Sequence, residues 1–220
     1  MKRNAPLILI FLAFALATQA ADIGFSGDVT MVSTYVWRGV TQFHGAAMQG
    51  TAEVSSGVLS VGLWSSSWHG EFAVETDPYI GLSLPTGQVE TSLGATLYGY
   101  DFFTGPGSIY EVYASAGYGP ASLAFYYTPE QQDGDQPDVY WLELAGAASW
   151  IGADWSAGLG YGTYSNWNFD GDAPDAVMTL LLSATKSVTD DLAVSWNYAL
   201  PLSDDQDLSN VFFFTLGYGF

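Results

Sequence analysis

The sequence ends in Phe212-Phe213-Phe214-Thr215-Leu216-Gly217-Tyr218-Gly219-Phe220, the segment with the clearest structural pattern. Successive side chains of a β-strand point to opposite faces, so every second residue of this stretch shares a face. One face then carries a large apolar group at every place up to the carboxylate: Phe212, Phe214, Leu216, Tyr218 and Phe220. The sequence therefore predicts a last strand with a continuous apolar face.

The same alternation recurs along the chain in segments of about ten residues, and no run has the helical period. Twelve such segments can be counted, and an even number returns both chain ends to one side of a membrane, as in single-chain bacterial barrels. The prediction is an all-β, single-chain transmembrane antiparallel up-and-down β-barrel of about twelve strands, closed by the aromatic C-terminal strand. The predicted spans are 23–36, 46–55, 58–66, 71–84, 88–99, 108–118, 121–128, 138–149, 153–164, 175–186, 191–200 and 210–220.

The connections alternate between short and long. Tight turns such as Pro85-Thr86-Gly87 separate longer polar links such as 38–46, 129–137 and 165–174. Short periplasmic turns and long extracellular loops are typical of outer-membrane barrels. We therefore expect the long links to face outward from the cell.

The N-terminus has the pattern of a secretory leader. Lys2 and Arg3 precede an apolar run from Leu7 to Ala17, and small residues lead to a cleavage site after Ala20. Residues 1–20 are thus predicted to be a cleaved signal peptide, and 21–220 the barrel, exported to the outer membrane of a Gram-negative bacterium. The chain has no cysteine, so neither a lipid anchor at the cleavage site nor a disulfide is expected.

Charge composition excludes two classes of protein. The sequence has 23 Asp and Glu against 4 Lys and Arg, a balance opposite to that of nucleic-acid-binding proteins. Hydrophobic residues make up 49% of the chain, well above the content of disordered proteins. The carboxylates must therefore sit on an ordered, hydrated surface.

Acidic residues of the predicted strands fall on one face. Eight acids, named below, lie in the register opposite the large apolar residues, as expected because a charge facing lipid at mid-membrane costs about 2–4 kcal/mol for a basic residue and less for an acid. Lys186 falls on the apolar register, at a strand end where its stem can snorkel to the interface. The acids that define the inner face are Asp28, Glu53, Glu75, Asp77, Glu90, Glu111, Glu143 and Asp154.

Aromatic residues of the outer register cluster at two depths, as in the girdles at membrane interfaces. A soluble sandwich or lipocalin-like barrel would show similar alternation, but its apolar face would point inward. The predicted girdles contain Tyr35, Trp37, Tyr110, Tyr127, Tyr140 and Tyr161 near the loops, and Tyr118, Trp150, Trp155, Tyr218 and Phe220 near the turns.

Residues 32–42, Val-Ser-Thr-Tyr-Val-Trp-Arg-Gly-Val-Thr-Gln, followed by Gln49-Gly50, residues 62–66 and residues 75–81, resemble the N-terminal signature of the TorF-type porin family. The family is bacterial and otherwise of unknown function. The resemblance covers about the first third of the chain and implies an outer-membrane barrel that acts as a pore. The chain departs from the pattern in having Thr41 and in lacking a proline before Gln49.

A twelve-strand barrel lies between eight-strand barrels, which side chains fill, and open porins of sixteen or more strands. We expect a porin-like channel for passive diffusion of small polar or cationic solutes, because acids facing the lumen attract cations. Inward aromatic residues, including Trp64, Tyr98 and Trp141, could stack on solutes or plug the bore. The candidate pore-lining residues are Arg38, expected near the mouth and paired with an acid, with Glu53, Glu75, Asp77, Glu90, Glu111 and Glu143.

Two long links contain a near-repeat, Asp133-Gly134-Asp135-Gln136-Pro137-Asp138 and Asp170-Gly171-Asp172-Ala173-Pro174-Asp175. Asp oxygens at alternate positions suit Ca²⁺, so Asp133, Asp135, Asp170 and Asp172 are candidates for a weak calcium site. Asp, Gly and Pro are also ordinary turn residues, and no bidentate Glu follows at EF-hand spacing. No other cofactor is expected.

Two other functions remain open. A structural or adhesive barrel would act through its acidic loops, and a plugged bore would favour it. A lipid hydrolase would need a His and a Ser in a catalytic arrangement; only His44 and His69 exist, and His69 follows Ser65-Ser66-Ser67 without evidence of such an arrangement. We expect no enzyme. The expected partners are outer-membrane lipid, lipopolysaccharide, the barrel assembly machinery and small solutes, and not nucleic acid.

Overall fold

A computed structural model describes residues 22–67, 74–99, 109–129, 138–163, 176–203 and 208–220. Twelve antiparallel strands form one closed barrel in which each strand pairs with its neighbours in the chain, and the described residues include no helix. The predicted fold class and strand number are therefore confirmed. The barrel strands are β1 (Ile23–Val32), β4 (Ala47–Ser56), β5 (Leu59–Ser67), β6 (Val74–Thr86), β7 (Val89–Tyr98), β8 (Ile109–Tyr118), β9 (Ala121–Thr128), β10 (Val139–Trp150), β11 (Ala153–Gly162), β12 (Val177–Ser187), β13 (Leu192–Pro201) and β14 (Val211–Gly219); a separate two-stranded sheet contains β2 (Tyr35–Trp37) and β3 (Val40–Phe43).

The C-terminal strand closes the barrel. β14 pairs antiparallel with β1, with Asp28 opposite Gly219 and Met31 opposite Leu216. Beyond the end of β14, the Phe220 amide donates to the Gly27 carbonyl at 2.9 Å, and the Gly27 amide donates to the Phe220 carbonyl at 3.0 Å. Closure leaves no free sheet edge, which is the condition for a sheet to exist in hydrocarbon.

The apolar register of the strands faces outward. Phe25 is 79% exposed, Phe212 57% and Phe220 71%, although burial of apolar surface is worth about 25 cal/mol per Å². Hydrocarbon removes the cost of exposing such a band, whereas water does not. The soluble alternative, in which the apolar register of the strands would point inward, does not describe this barrel. Among the described residues, no helix is long and apolar enough to cross a membrane.

The first link of the chain differs from the prediction. The strand expected over 23–36 ends at Val32, and the link expected over 38–46 contains the second strand of a tight β2–β3 hairpin. Arg38 and Gly39 form its two-residue turn with φ values of 50° and 81°, the positive values that the favoured hairpin turns require. Tyr35 and Trp37 belong to this hairpin, so their assignment to an outer aromatic girdle was wrong.

Lys186 lies at the turn end of β12, in agreement with its predicted position at a strand end. Its Nζ donates to the Gly152 carbonyl in the neighbouring β10–β11 turn at 2.6 Å. The only cationic side chain in the outward register of the described strands is therefore held against backbone at the edge of the apolar band.

The β10–β11 turn carries a strained residue. Ile151 has φ of 51°, a region that disfavours β-branched side chains, and it is 77% exposed, so little packing offsets the strain. We expect Ile151→Asn to raise the free energy of unfolding by about 1 kcal/mol, because Asn tolerates this conformation. Urea unfolding in lipid vesicles, followed by tryptophan fluorescence, measures the change. Ile151→Val keeps the β-branch and should leave stability unchanged; an unaltered Asn variant would contradict the assignment of strain.

Candidate constriction inside the barrel

The β2–β3 hairpin lies within the barrel and reaches across its bore. Its side chains contact residues of the inward register: the Tyr35 ring is 5.8 Å from Trp64 on β5, and Trp37 is 5.9 Å from Tyr98 on β7. At the tip, the Thr179 hydroxyl on β12 donates to the Arg38 carbonyl at 3.1 Å. Because β5 and β12 lie on nearly opposite walls of the closed sheet, the hairpin spans the lumen.

Arg38 forms a buried ion pair with Glu111 on β8. Its Nη1 and Nη2 atoms donate to the two carboxylate oxygens at 2.9 and 2.8 Å, and the two side chains are only 8% and 4% exposed. The Tyr98 hydroxyl donates to one oxygen at 2.9 Å, and the Thr128 hydroxyl donates to the other at 3.3 Å. Each carboxylate oxygen thus accepts two hydrogen bonds, which compensates for the removal of both charges from water.

Aromatic rings surround the Arg38 guanidinium. Its Cζ lies 4.3 Å from the ring centroid of Trp37, 4.4 Å from that of Tyr126 and 5.8 Å from that of Trp141. These distances fall within the range of cation–π attraction, which strengthens when the cation is desolvated. Arg38 therefore pairs with a lumen acid, as expected, and three aromatic rings also contact its guanidinium.

Gly39 allows the hairpin tip to approach the wall. A Cβ at this position would lie 2.6 Å from the Thr179 Cβ, and the φ of 81° is itself unfavourable for any other residue. The close approach gives Thr179 access to the Arg38 carbonyl. Glycine at position 39 thus serves both the turn and the contact.

Two buried apolar clusters hold the hairpin. Val40 on β3 packs with Trp141 and Val177, which are 1% and 0% exposed. Tyr35 packs with Val32, the last residue of β1, and with Ala47, the first residue of β4. The Tyr35 hydroxyl also donates to Glu75 at 3.0 Å. The half of the bore nearer the long links, called the loop-side half, is consequently packed around the hairpin. The half nearer the tight turns is called the turn-side half.

The other candidate acids occupy two levels. Glu75 and Asp77 are buried near the hairpin, and Asp77 accepts a hydrogen bond from the Gly99 amide at 3.1 Å. Glu53 accepts one from the Tyr79 hydroxyl at 2.8 Å, nearer the turns. Glu143 is half-buried and Glu90 is exposed, beside the β6–β7 turn. The structure thus joins Arg38 directly to Glu111 and places Glu75 at the hairpin base, whereas the remaining acids lie on other parts of the wall.

The turn-side half of the inner wall carries small residues. Hydroxyl groups pair across neighbouring strands, as in Ser92 with Ser115 at 2.6 Å and Thr185 with Ser195 at 2.9 Å. The hairpin therefore obstructs the loop-side half of the described bore. The small inward residues on this side include Ser60, Ser83, Ser122, Ala145, Ser156, Gly158 and Ser183.

Sequence patterns could have revealed the hairpin. β-prone residues flank Arg38-Gly39, and a two-residue turn that ends in glycine is a hairpin signal. No comparable signal identifies Thr128 as a partner of Glu111, because the two residues meet only through strand pairing. The inward orientation expected for Trp64, Tyr98 and Trp141 is confirmed, and in the structure these rings pack against the hairpin.

Some predicted residues cannot be placed. Asp133, Asp135, Asp170, Asp172 and His69 lie outside the described residues. Within the described ranges, no group of three or more His, Cys, Asp or Glu side chains is arranged to hold a metal ion. The Ser65 hydroxyl donates to the Glu75 carbonyl at 2.8 Å.

Solved structures resemble the barrel. The COG4313 outer membrane channel from Pseudomonas putida F1 matches with a TM-score of 0.53 at 12% identity, over 92% of this chain and 97% of that chain. A structure from work on in-meso crystallization of membrane proteins matches with a TM-score of 0.59 at 8% identity, over 89% and 83% of the two chains. Salmonella typhi OmpF in complex with daunomycin aligns over 91% and 98% at 9% identity, with a TM-score of 0.49. No protein-family model and no curated protein matches the sequence. The likeness to the outer membrane channel shows that this chain shares its barrel fold.

Proposed function

We propose that the protein is an outer-membrane, porin-like channel for passive diffusion of small polar or cationic solutes, with the β2–β3 hairpin as its constriction. The observation that carries the proposal is the hairpin itself. It crosses a closed barrel at one level and brings a charged pair into the bore, while hydroxyl pairs such as Ser92 with Ser115 line part of the remaining wall. Such an arrangement limits solute size at one level.

The charge balance of the bore supports a preference for cations. After the predicted leader, Arg38 and Lys186 are the only Lys and Arg residues of the sequence. Arg38 is paired with Glu111, and Lys186 donates to a backbone carbonyl in the outer register. No Lys or Arg is therefore left to neutralise Glu53, Glu90 and Glu143, and their combined field would concentrate cations in the lumen.

Planar-bilayer recording tests the function. In a KCl gradient we expect the reversal potential to show cation preference, and we expect Glu53→Gln with Glu143→Gln to reduce that preference by about half or more at low salt. Asp190→Asn, in an exposed turn, is the matched control and should leave selectivity unchanged. The difference should shrink at 1 M salt, where the Debye length is about 3 Å. Absence of conductance from folded protein, or anion preference, would contradict the proposal.

Membership of the TorF-type porin family, export by residues 1–20 and location in the Gram-negative outer membrane form part of the same proposal. The exposed apolar band supports contact with lipid, and the closing aromatic strand is the feature that the barrel assembly machinery would read. Lipopolysaccharide would contact the outer end of the barrel. Weak Ca²⁺ binding by Asp133, Asp135, Asp170 and Asp172 also remains a proposal.

A structural or adhesive barrel is the second candidate, favoured by one observation. The loop-side half of the bore is packed around the hairpin, with Val177 and Trp141 almost completely buried. If bilayers that contain folded protein show no conductance, this function replaces the channel. A lipid hydrolase is supported least, since the Ser65 hydroxyl is engaged by a backbone carbonyl.

A further inference from the structure

The barrel wall forms a site that fits a guanidinium group. Glu111 presents two oxygens side by side, and Tyr98 and Thr128 fix the carboxylate by donating one hydrogen bond to each oxygen. Tyr126 and Trp141, on the next two strands, offer ring faces to the bound cation. A planar, forked donor satisfies this carboxylate with two parallel hydrogen bonds, whereas an ammonium group makes only point contacts.

The group that fills this site is not part of the wall. Arg38 belongs to the separate β2–β3 hairpin and sits at its tip in a conformation unfavourable for a non-glycine residue. It meets the wall through the ion pair, the ring contacts and the hydrogen bond from Thr179 to its carbonyl. The guanidinium thus enters the site on a separate, strained element, as a ligand would.

We propose that the wall residues Glu111, Tyr98, Thr128, Tyr126 and Trp141 are a guanidinium-binding site that Arg38 occupies as an internal ligand. A small solute with a guanidinium group competes with Arg38 for the site on its way through the bore. The passage of such a solute rests on the proposed channel function, whereas the existence of the binding site does not.

Chemical rescue tests the site without transport. Arg38→Gly removes the side chain and suits the positive φ of the turn. In detergent micelles, titration with millimolar methylguanidinium chloride at constant ionic strength should change the fluorescence of Trp37 and Trp141 saturably in this variant. Wild-type protein, whose site is filled, should bind at least tenfold more weakly. Tetramethylammonium, which can contact the rings but cannot donate hydrogen bonds to Glu111, should bind more weakly than methylguanidinium.

A double variant ties the response to the carboxylate. Arg38→Gly with Glu111→Gln should bind methylguanidinium at least tenfold more weakly than Arg38→Gly alone, because the amide donates where the cation needs an acceptor. Circular dichroism verifies that each barrel is folded. If Arg38→Gly does not fold, Arg38→Lys serves in its place, since a lysine ammonium cannot make two parallel hydrogen bonds to the Glu111 carboxylate.

Two results would overturn the site. One is the absence of a saturable response in the folded single variant, and the other is equal affinity for methylguanidinium in the single and double variants. Conductance of the wild-type protein is recorded separately, so a failed channel and a failed site give different results.

Discussion

Glu111→Ala is expected to release the β2–β3 hairpin from the barrel wall and to raise single-channel conductance several-fold. Arg38 would be left in a site where its side chain is 8% exposed, without the carboxylate that compensates for its lost hydration. Breaking a buried ion pair by removing one partner costs about 3–5 kcal/mol. The hairpin can avoid that cost by leaving the wall, because its strands belong to a separate two-stranded sheet.

Trypsin provides a direct measurement of this release. Beyond the predicted leader, the sequence offers the protease only Arg38 and Lys186, and the Arg38 side chain is buried in the wild-type protein. We expect Glu111→Ala to be cleaved after Arg38 much faster than wild type in lipid vesicles. Glu90→Ala is the control, because Glu90 is an exposed acid of the same inner register beside a turn. Unchanged conductance together with unchanged cleavage of folded Glu111→Ala would show that the ion pair does not hold the hairpin.

The barrel could be predicted because each strand repeats a local rule. Phe25 and Val54 face each other across β1 and β4 on the outside, and neighbouring Ser26 and Glu53 do so on the inside. Period-two alternation follows from this separation of lipid from the enclosed face, and an isolated segment already displays it. Twelve repeats and a closing aromatic strand were therefore enough to predict the sheet.

The hairpin could not be predicted from the same rule. Tyr35 and Trp37 continue the alternation of β1, yet they lie inside the barrel. Alternation distinguishes the two faces of a strand, but it does not show to which sheet the strand belongs. The expected partner of Arg38 was any lumen acid. Arg38 pairs with Glu111, 73 residues away, because of how far the hairpin reaches across the bore. Such long-range contacts leave no local signal in the sequence.

Gly160→Ala is expected to destabilise the protein by about 1–3 kcal/mol, the usual cost of overpacking a buried site. A Cβ on Gly160 would overlap the six-membered ring of Trp141, with the Cε2 atom at 2.8 Å. The ring is 1% exposed and packs against Val40 of the hairpin and Val177 of β12, so it has no open space in which to move. The strain should therefore pass to the hairpin as well as to β11.

Gly158→Ala is the matched control for this substitution. Gly158 lies two residues earlier on the same inward face of β11, where an added Cβ would meet its nearest atoms only at 3.9 Å, an ordinary contact. Both changes replace glycine by alanine, so they reduce the entropy of the unfolded chain equally, and the difference between them isolates the clash. Urea unfolding in vesicles measures that difference, and trypsin cleavage at Arg38 shows whether the hairpin moves. Equal stabilities of the two variants would mean that Trp141 is free to shift and that the packed end of the bore is looser than its burial indicates.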